Sequence, residues 1–334
     1  MIDFRSDTVT KPCNKMRDIM YHAPVGDDVY GDDESVNQLE AYARLRFNVA
    51  DALFCSSGTQ ANLLALMAHC ERGDEYICGQ SAHNYKFEGG GAAVLGSIQP
   101  QPIENEADGS LCFTKIAAAI KPDDSHFAKT RLLSLENTIG GKVLGIDYLI
   151  KAREFVHQHN LALHLDGARA FNAAAELNLD IKEITKHFDS VSICLSKGLG
   201  APVGSLLLGS KQLIAKARRW RKVLGGGMRQ AGMLAAAGQY ALENNTQRLV
   251  DDHANARYLA QQLSEISGFE VNMSNTTNMV YATFDNSINI TKLAADLKAH
   301  DIVFSPSKQL RLVTHLGITQ ADIDTFIKVL TAHI

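Results

Sequence analysis

Apolar positions change their period repeatedly along the chain, and each change marks an element. Short apolar or alternating runs at 52–55, 76–78, 132–135, 161–165, 190–196 and 205–208 read as strands. Helical spacing appears between them at 14–22, after Ser35, from Thr59 towards Gly73, and at 146–160. Strands alternating with helices predict an α/β chain with a large, mostly parallel sheet. From about residue 241 the pattern shifts to a long amphipathic helix, strands at 280–284, 302–304 and 310–313, a helix at 290–300 and a last helix. A large domain over 1–245 with an amino-terminal lead-in, followed by a small α/β domain over 246–334, is therefore expected.

Composition narrows the classes. With 334 residues, 46% of them apolar, the chain can bury a sizeable core, and its net charge of -4 favours neither nucleic acid nor an anionic membrane. The basic run 211–224 lacks interleaved aromatics beyond Trp220 and reads as a solvated or subunit-contacting helix face. No apolar run approaches membrane-spanning length, and MIDFRSDTVT lacks the apolar centre of a secretion signal, so the expected location is cytoplasmic. The six cysteines form no C-x-x-C pair, and no metal site is expected. The acidic loop GDDVYGDDES fails EF-hand spacing and reads as a helix-capping loop through Ser35.

Chemistry concentrates at predicted strand ends. Lys197 follows the strand 190–196 among Gly198, Gly200 and Gly204, where open α/β sheets bind ligands, and a lysine there either forms an imine or is a solvated turn residue. Asp166 ends its own strand beside Gly167 and Arg169, either as a ligand clamp or in a salt bridge with that arginine. Gly58 and Thr59 open a helix whose free amides hold an anion, unless Ser57 or Thr59 merely caps it. There is no P-loop and no G-x-G-x-x-G after this strand, which disfavours a nucleotide and leaves room for a smaller phosphate ligand. His83, in the loop beyond a strand, either covers a flat ring or lies at the surface. A lysine, a carboxylate and a phosphate cup together meet the needs of pyridoxal 5'-phosphate, with Ser196 adding a hydroxyl. Arg169 and Arg311 suit a substrate carboxylate, which points to an amino acid.

The same segments carry a family resemblance. MIDFRSDTVT, VGDDVYGDD, SSGTQAN, AHNYKFEGGGAA, LENT, HLDGARAFNA, CLSKGLGAPVGS, GGGMRQAG and RLVTHL together resemble the low-specificity L-threonine aldolases, pyridoxal-phosphate enzymes of the aminotransferase fold, type I. The resemblance spans nearly the whole chain. It implies that Lys197 holds the cofactor, Asp166 pairs with the ring nitrogen, Gly58, Thr59 and Ser196 bind phosphate, and His83 stacks on the ring. It further implies that Ser6, Arg169 and Arg311 hold the substrate carboxylate. Lys222 and Arg229 are implied to serve a neighbouring subunit's site, in a homotetramer built as a dimer of dimers. His83 and His126 are the expected acceptors of the substrate's β-hydroxyl proton. One departure stands out: the family usually follows LENT with His-Asn, where this chain has Ile139-Gly140.

The expected activity is reversible cleavage of L-threonine, L-allo-threonine and related β-hydroxy-α-amino acids into glycine and an aldehyde. Rival readings are another enzyme of this fold, such as an aminotransferase or β-eliminating lyase, and a catalytically silent relative. Intact Lys197, Asp166, His83 and His126 weigh against the last.

Overall fold

The structure, a computed structural model, describes residues 1–272 and 277–334. Its strands are β1 (Ile2–Asp3), β2 (Asp51–Cys55), β3 (Asp74–Gly79), β4 (Gln99–Ile103), β5 (Lys129–Glu136) and β6 (Ala162–Asp166). They continue as β7 (Ser190–Cys194), β8 (Ser205–Gly209), β9 (Phe269–Asn272), β10 (Met279–Phe284), β11 (Ile302–Val303) and β12 (Leu310–Val313). Seven of these form one sheet in the order β2-β8-β7-β6-β5-β3-β4. Strand β8 runs antiparallel to both of its neighbours, and the other pairings in the sheet are parallel.

Helices cover both faces of this sheet, which is why β3, β7 and β8 are buried along their whole length, the alternation of β7 being between apolar and small polar residues that are all buried. The helix Gly58–His69 packs on β7 and β8, and its residues Ala61 to Met67 are buried without interruption. Strand β4, with Pro100 and Pro102, was not expected from its sequence. It lies at the sheet edge, where a missing backbone donor costs no ladder bond.

A second core gathers the C-terminal elements. The antiparallel sheet β12-β10-β9 packs with the helices Leu249–Ser264, Ile290–Lys298 and Gln320–His333, burying Leu259, Leu263, Leu312 and Phe326. The amino-terminal lead-in joins this core: β1 pairs in parallel with β11, and the Phe4 ring packs tilted against that of Phe326, 4.9 Å between centroids. The chain then crosses to the large sheet, so residues 5–10 run along the seam between the two cores. Thr10 ties them down by donating its hydroxyl to the carbonyl of Lys197 at 2.9 Å. Among the described residues no helix is long and apolar enough to cross a membrane.

Candidate active site

Because all strands of the large sheet except β8 point the same way, Cys55, Gly79, Glu136, Asp166 and Cys194 end at one edge. The loops that follow carry Gly58, His83, Arg169 and Lys197 to that edge, and the small sheet faces them across a cleft of about 890 Å³. Its walls include His83, Glu136, Arg169, Tyr281 and Arg311.

The floor is a closed set of buried polar groups around Asp166, which is 2% exposed. One oxygen of Asp166 accepts from the backbone N–H of Ala168 at 3.1 Å and the other from the amide of Asn62 at 2.7 Å. Both oxygens of this carboxyl are thus held in place by donors from the chain. The same Asn62 amide donates to Glu88 at 2.8 Å, while its carbonyl oxygen accepts from Ser192 at 2.7 Å and lies 3.2 Å from His164 Nε2. Glu88 in turn lies 2.8 Å from His83 Nδ1. That hydrogen bond raises the His83 pKa against the opposing effect of burial, and burial raises that of Glu88. His83, Glu88 and Asp166 are the group among the described residues whose side-chain atoms lie close enough to hold a cation, but the Asn62 amide already bridges the two carboxylates.

His83 does not sit in a free loop as expected. It opens a one-turn helix, His83–Lys86, and its backbone N–H donates to Glu136 Oε2 at 2.7 Å. Glu136 and Asp166 are register partners at the ends of β5 and β6. Burial, aided by the Asp166 charge, pushes the Glu136 pKa up to about 8, against the His83 amide and the charges of His83 and Arg169.

At the end of β2 the helix Gly58–His69 is capped by Ser57, which accepts from the Gln60 N–H at 3.1 Å. The amides of Gly58 and Thr59 have no protein partner among the described residues. Ser205 Oγ is buried beside Gly58, also without a partner among them. Unpaired amides at a helix start and an orphaned buried hydroxyl fit an oxyanion such as phosphate. Ser196, half-buried, precedes the half-buried Lys197. This donor set (an amine, a carboxylate anion and an anion cup at one sheet edge) matches what pyridoxal phosphate requires.

Arg169 is not paired with Asp166. Its guanidinium grips the fully buried Asp7 through two hydrogen bonds of 2.8 and 2.6 Å. Burial opposes ionisation of Asp7, but the Arg169 charge and hydrogen bonds outweigh it, helped by Lys197 and Asn278, and hold its pKa at about 2. Ser6 caps the turn at Asp7, its hydroxyl accepting from the Thr8 N–H at 3.2 Å. Arg311, exposed on β12, donates to the Arg5 carbonyl at 3.1 Å and also hydrogen-bonds the Tyr281 side chain at the cleft wall.

Three expected residues do not meet the site of their own chain. His126 lies in the loop before β5, 84% exposed and 2.6 Å from Asp124, and is absent from the cleft walls. Strand β5 carries Glu136 roughly 23 Å from Lys129, and a three-residue loop reaches back at most about 11 Å, so the same subunit's His126 lies at least about 12 Å from Glu136, backbone to backbone. Lys222 and Arg229 are exposed around the triple glycine, with Arg229 on Asp27 at 2.7 Å and over the Tyr30 ring. The Gln60 side-chain amide packs directly over Gly226, where a Cβ would have to displace it. In the acidic loop Asp33, not Ser35, caps the next helix, accepting from the Val36 N–H at 3.1 Å.

Asp7, Asn62, Glu88, Glu136 and Tyr281 were not singled out from sequence. Glu136 could have been, since it ends an apolar strand just as Asp166 does. The others lie within quoted motifs or mid-strand, where only the fold aims them at the site.

A family model for beta-eliminating lyases matches residues 3–286. The chain is 57% identical over 320 residues to the low specificity L-threonine aldolase of Escherichia coli (strain K12), covering 96% of this chain and 95% of that one. The chain belongs to this family. Low-specificity L-threonine aldolase 1 of Arabidopsis thaliana is 42% identical over 333 residues, 96% of this chain and 93% of that one. Among solved structures, Leishmania major threonine aldolase superposes with a TM-score of 0.83 at 22% identity, over 100% of this chain and 99% of that one. Alanine–glyoxylate aminotransferase from Nostoc sp. gives 0.72 at 15%, over 99% and 96%. The fold is thus the aminotransferase-like α/β fold, type I. The family's usual His-Asn is replaced without loss of the turn: Ile139 is buried and bridges to Lys142, with Gly140 and Gly141 at φ 55° and 82°. Asparagine tolerates that left-handed conformation too, so Gly140 preserves the backbone that Asn would adopt.

Proposed function

We propose that this carbon–carbon lyase cleaves L-threonine, L-allo-threonine and related β-hydroxy-α-amino acids reversibly to glycine and an aldehyde, with pyridoxal 5'-phosphate held on Lys197. The observation that carries the proposal is the convergence of Lys197, Asp166 and the open start of the helix Gly58–His69 on one sheet edge. When bound, the cofactor supplies an electrophilic carbonyl and an electron-accepting ring. Asp166, held in position by Asn62 and the Ala168 amide, would pair with the ring nitrogen and keep it protonated. Gly58, Thr59 and Ser196 hold the phosphate, and His83, turned by Glu88, covers the ring.

Arg311, exposed in the cleft wall, takes the substrate carboxylate, and Ser6 adds a hydroxyl. Arg169, its fork committed to Asp7, contributes charge and shape more than a free bidentate grip. Lys222, Arg229 and His126 act, in this reading, in a neighbouring subunit's cleft, which calls for a homo-oligomer, a tetramer of two dimers. The chain works as two domains dividing near residue 245, in the cytoplasm.

The match to a beta-eliminating lyase family supports a second reading, elimination from a β-substituted amino acid. Incubation of the purified protein with threonine, allo-threonine, phenylserine and serine, followed by product identification, separates the two. Glycine with the matching aldehyde is expected; an oxo acid with ammonia from these substrates would favour elimination instead.

A further inference from the structure

We propose that Glu136 is a catalytic residue of the cleavage, its carboxylate taking the proton of the substrate's β-hydroxyl as the Cα–Cβ bond breaks. The inference rests on the aldol reading above. Glu136 ends β5 in register with Asp166 and forms part of the cleft wall. Its Oε2 is fixed by the His83 backbone N–H at 2.7 Å, and its Oε1 has no protein partner among the described residues.

Two neighbours of Glu136 in the cleft are already engaged by partners. Arg169 is locked on Asp7, and His83 Nδ1 is held by Glu88. Of the histidines expected for this role, the same subunit's His126 lies outside the cleft, and the Glu88 hydrogen bond favours the protonated imidazole of His83. The charged and titratable groups facing Glu136 are Asp166 from β6, His83 from its short helix, Arg169 after β6 and Tyr281 from β10. Burial, with the Asp166 charge, sets the carboxyl to ionise near 8, which makes it a stronger base than an ordinary glutamate.

The step balances. The hydroxyl proton moves to Glu136 Oε1, the O–H electron pair becomes the second bond of the aldehyde carbonyl, and the Cα–Cβ pair stays on the glycine carbon. Glu136 then releases its proton to solvent, and a proton drawn from solvent completes glycine at Cα.

The test uses the full-length holoenzyme and its Glu136→Gln and Glu136→Asp variants, comparing threonine cleavage with deuterium exchange at glycine Cα. That exchange involves no β-hydroxyl. Glu136→Gln is expected to slow cleavage by roughly 10²–10⁴, with glycine exchange and cofactor affinity close to wild type, and Glu136→Asp to fall between. The ascending limb of the cleavage pH profile should disappear in the Gln variant. Carboxyl-labelled glutamate followed by NMR in cofactor-free wild type should show one resonance, absent from Glu136→Gln, titrating near 8.

Equal loss of both reactions, unchanged cleavage, or a Glu136 resonance that titrates as an ordinary carboxyl would overturn the assignment. If Glu136→Gln fails to fold, the Asp variant and the wild-type titration decide. Wild type that neither cleaves threonine nor exchanges the glycine proton contradicts the aldol reading itself, whereas wild-type cleavage beside an unaffected Gln variant removes Glu136 alone.

Discussion

The large sheet buries carboxylates at both of its ends, and the two ends treat them differently. At the amino end of β3, Glu75 is fully buried and closed off: Lys121 pairs with it, Thr130 donates to it at 3.0 Å and Gln99 at 2.9 Å. At the carboxyl end, Asp166, Glu88 and Glu136 crowd together with Asn62 and His83 as their main donors, and one oxygen of Glu136 is left facing the cleft. The first arrangement is a sealed ion pair that serves the fold. The second keeps charge and hydrogen-bonding capacity in reserve for a ligand, and the direction of the parallel strands decides which end is which.

The contrast breaks first at the two lysines. Lys197→Ala should lower threonine cleavage by more than about 10⁴, the range expected when a covalent attachment group is lost, while leaving the melting temperature of the cofactor-free protein near wild type. Lys121→Met should do the reverse. Removing one partner of a buried pair costs about 3–5 kcal/mol, discounted here towards 2 because Lys121 is partly exposed, and turnover per folded molecule should not change. Denaturant titration and steady-state kinetics on both variants check this pair of outcomes, and loss of turnover in a well-folded Lys121→Met would erase the distinction between the ends.

Asp166→Ala should retain some cofactor yet lose about 10²-fold or more in turnover, since the ring nitrogen would no longer be held protonated. Near-normal kcat would remove Asp166 from that role.

Acid stability gives a smaller and signed effect. The Asp7 pKa is depressed to about 2 in the folded chain, so it contributes stability that is fully present above its unfolded value near 4. That contribution, on the order of 2–3 kcal/mol, is lost as pH falls from about 4 to about 2. Glu136 acts in the opposite sense. Its raised pKa means that the cofactor-free fold loses stability as pH climbs from about 4 towards 8, because the unfolded chain ionises first. Urea titrations of wild type, Asp7→Asn and Glu136→Gln from about pH 2 to about pH 9 would separate the two slopes.

The smallest effect is expected at the turn. Gly140→Asn should change stability by less than about 1 kcal/mol, because the left-handed φ of 55° is accessible to asparagine and a Cβ there meets Tyr281 Oη only at 3.5 Å. Any sizeable change in substrate preference would then report on contact with the substituent and not on the backbone.

What was legible in the sequence follows the same division. Strand-end residues were visible because period-two runs stop at them, which gave Lys197 and Asp166, and the helix start at Gly58 was visible from its capping residues. Strand β4 was hidden because its prolines argue against a strand anywhere but at an edge. Asn62 and Glu88 were hidden for a different reason: a buried polar residue on an apolar helix or after a one-turn helix gives no periodic signal, and only the fold brings both within hydrogen-bond distance of one another. Arg169 was read as a grip for the substrate carboxylate, with a salt bridge to Asp166 as the alternative, whereas its guanidinium is paired with Asp7, 162 residues away. The lead-in that carries Asp7 was itself expected with the large domain, yet its first strand belongs to the second core.

The central claim is that the carboxyl ends of the parallel strands present Lys197 to a carbonyl cofactor. Reduction of the holoprotein with labelled borohydride, followed by peptide mapping, tests it most directly. The account predicts one labelled lysine, Lys197; label on any other lysine, or none at all in protein that carries the cofactor, would contradict it.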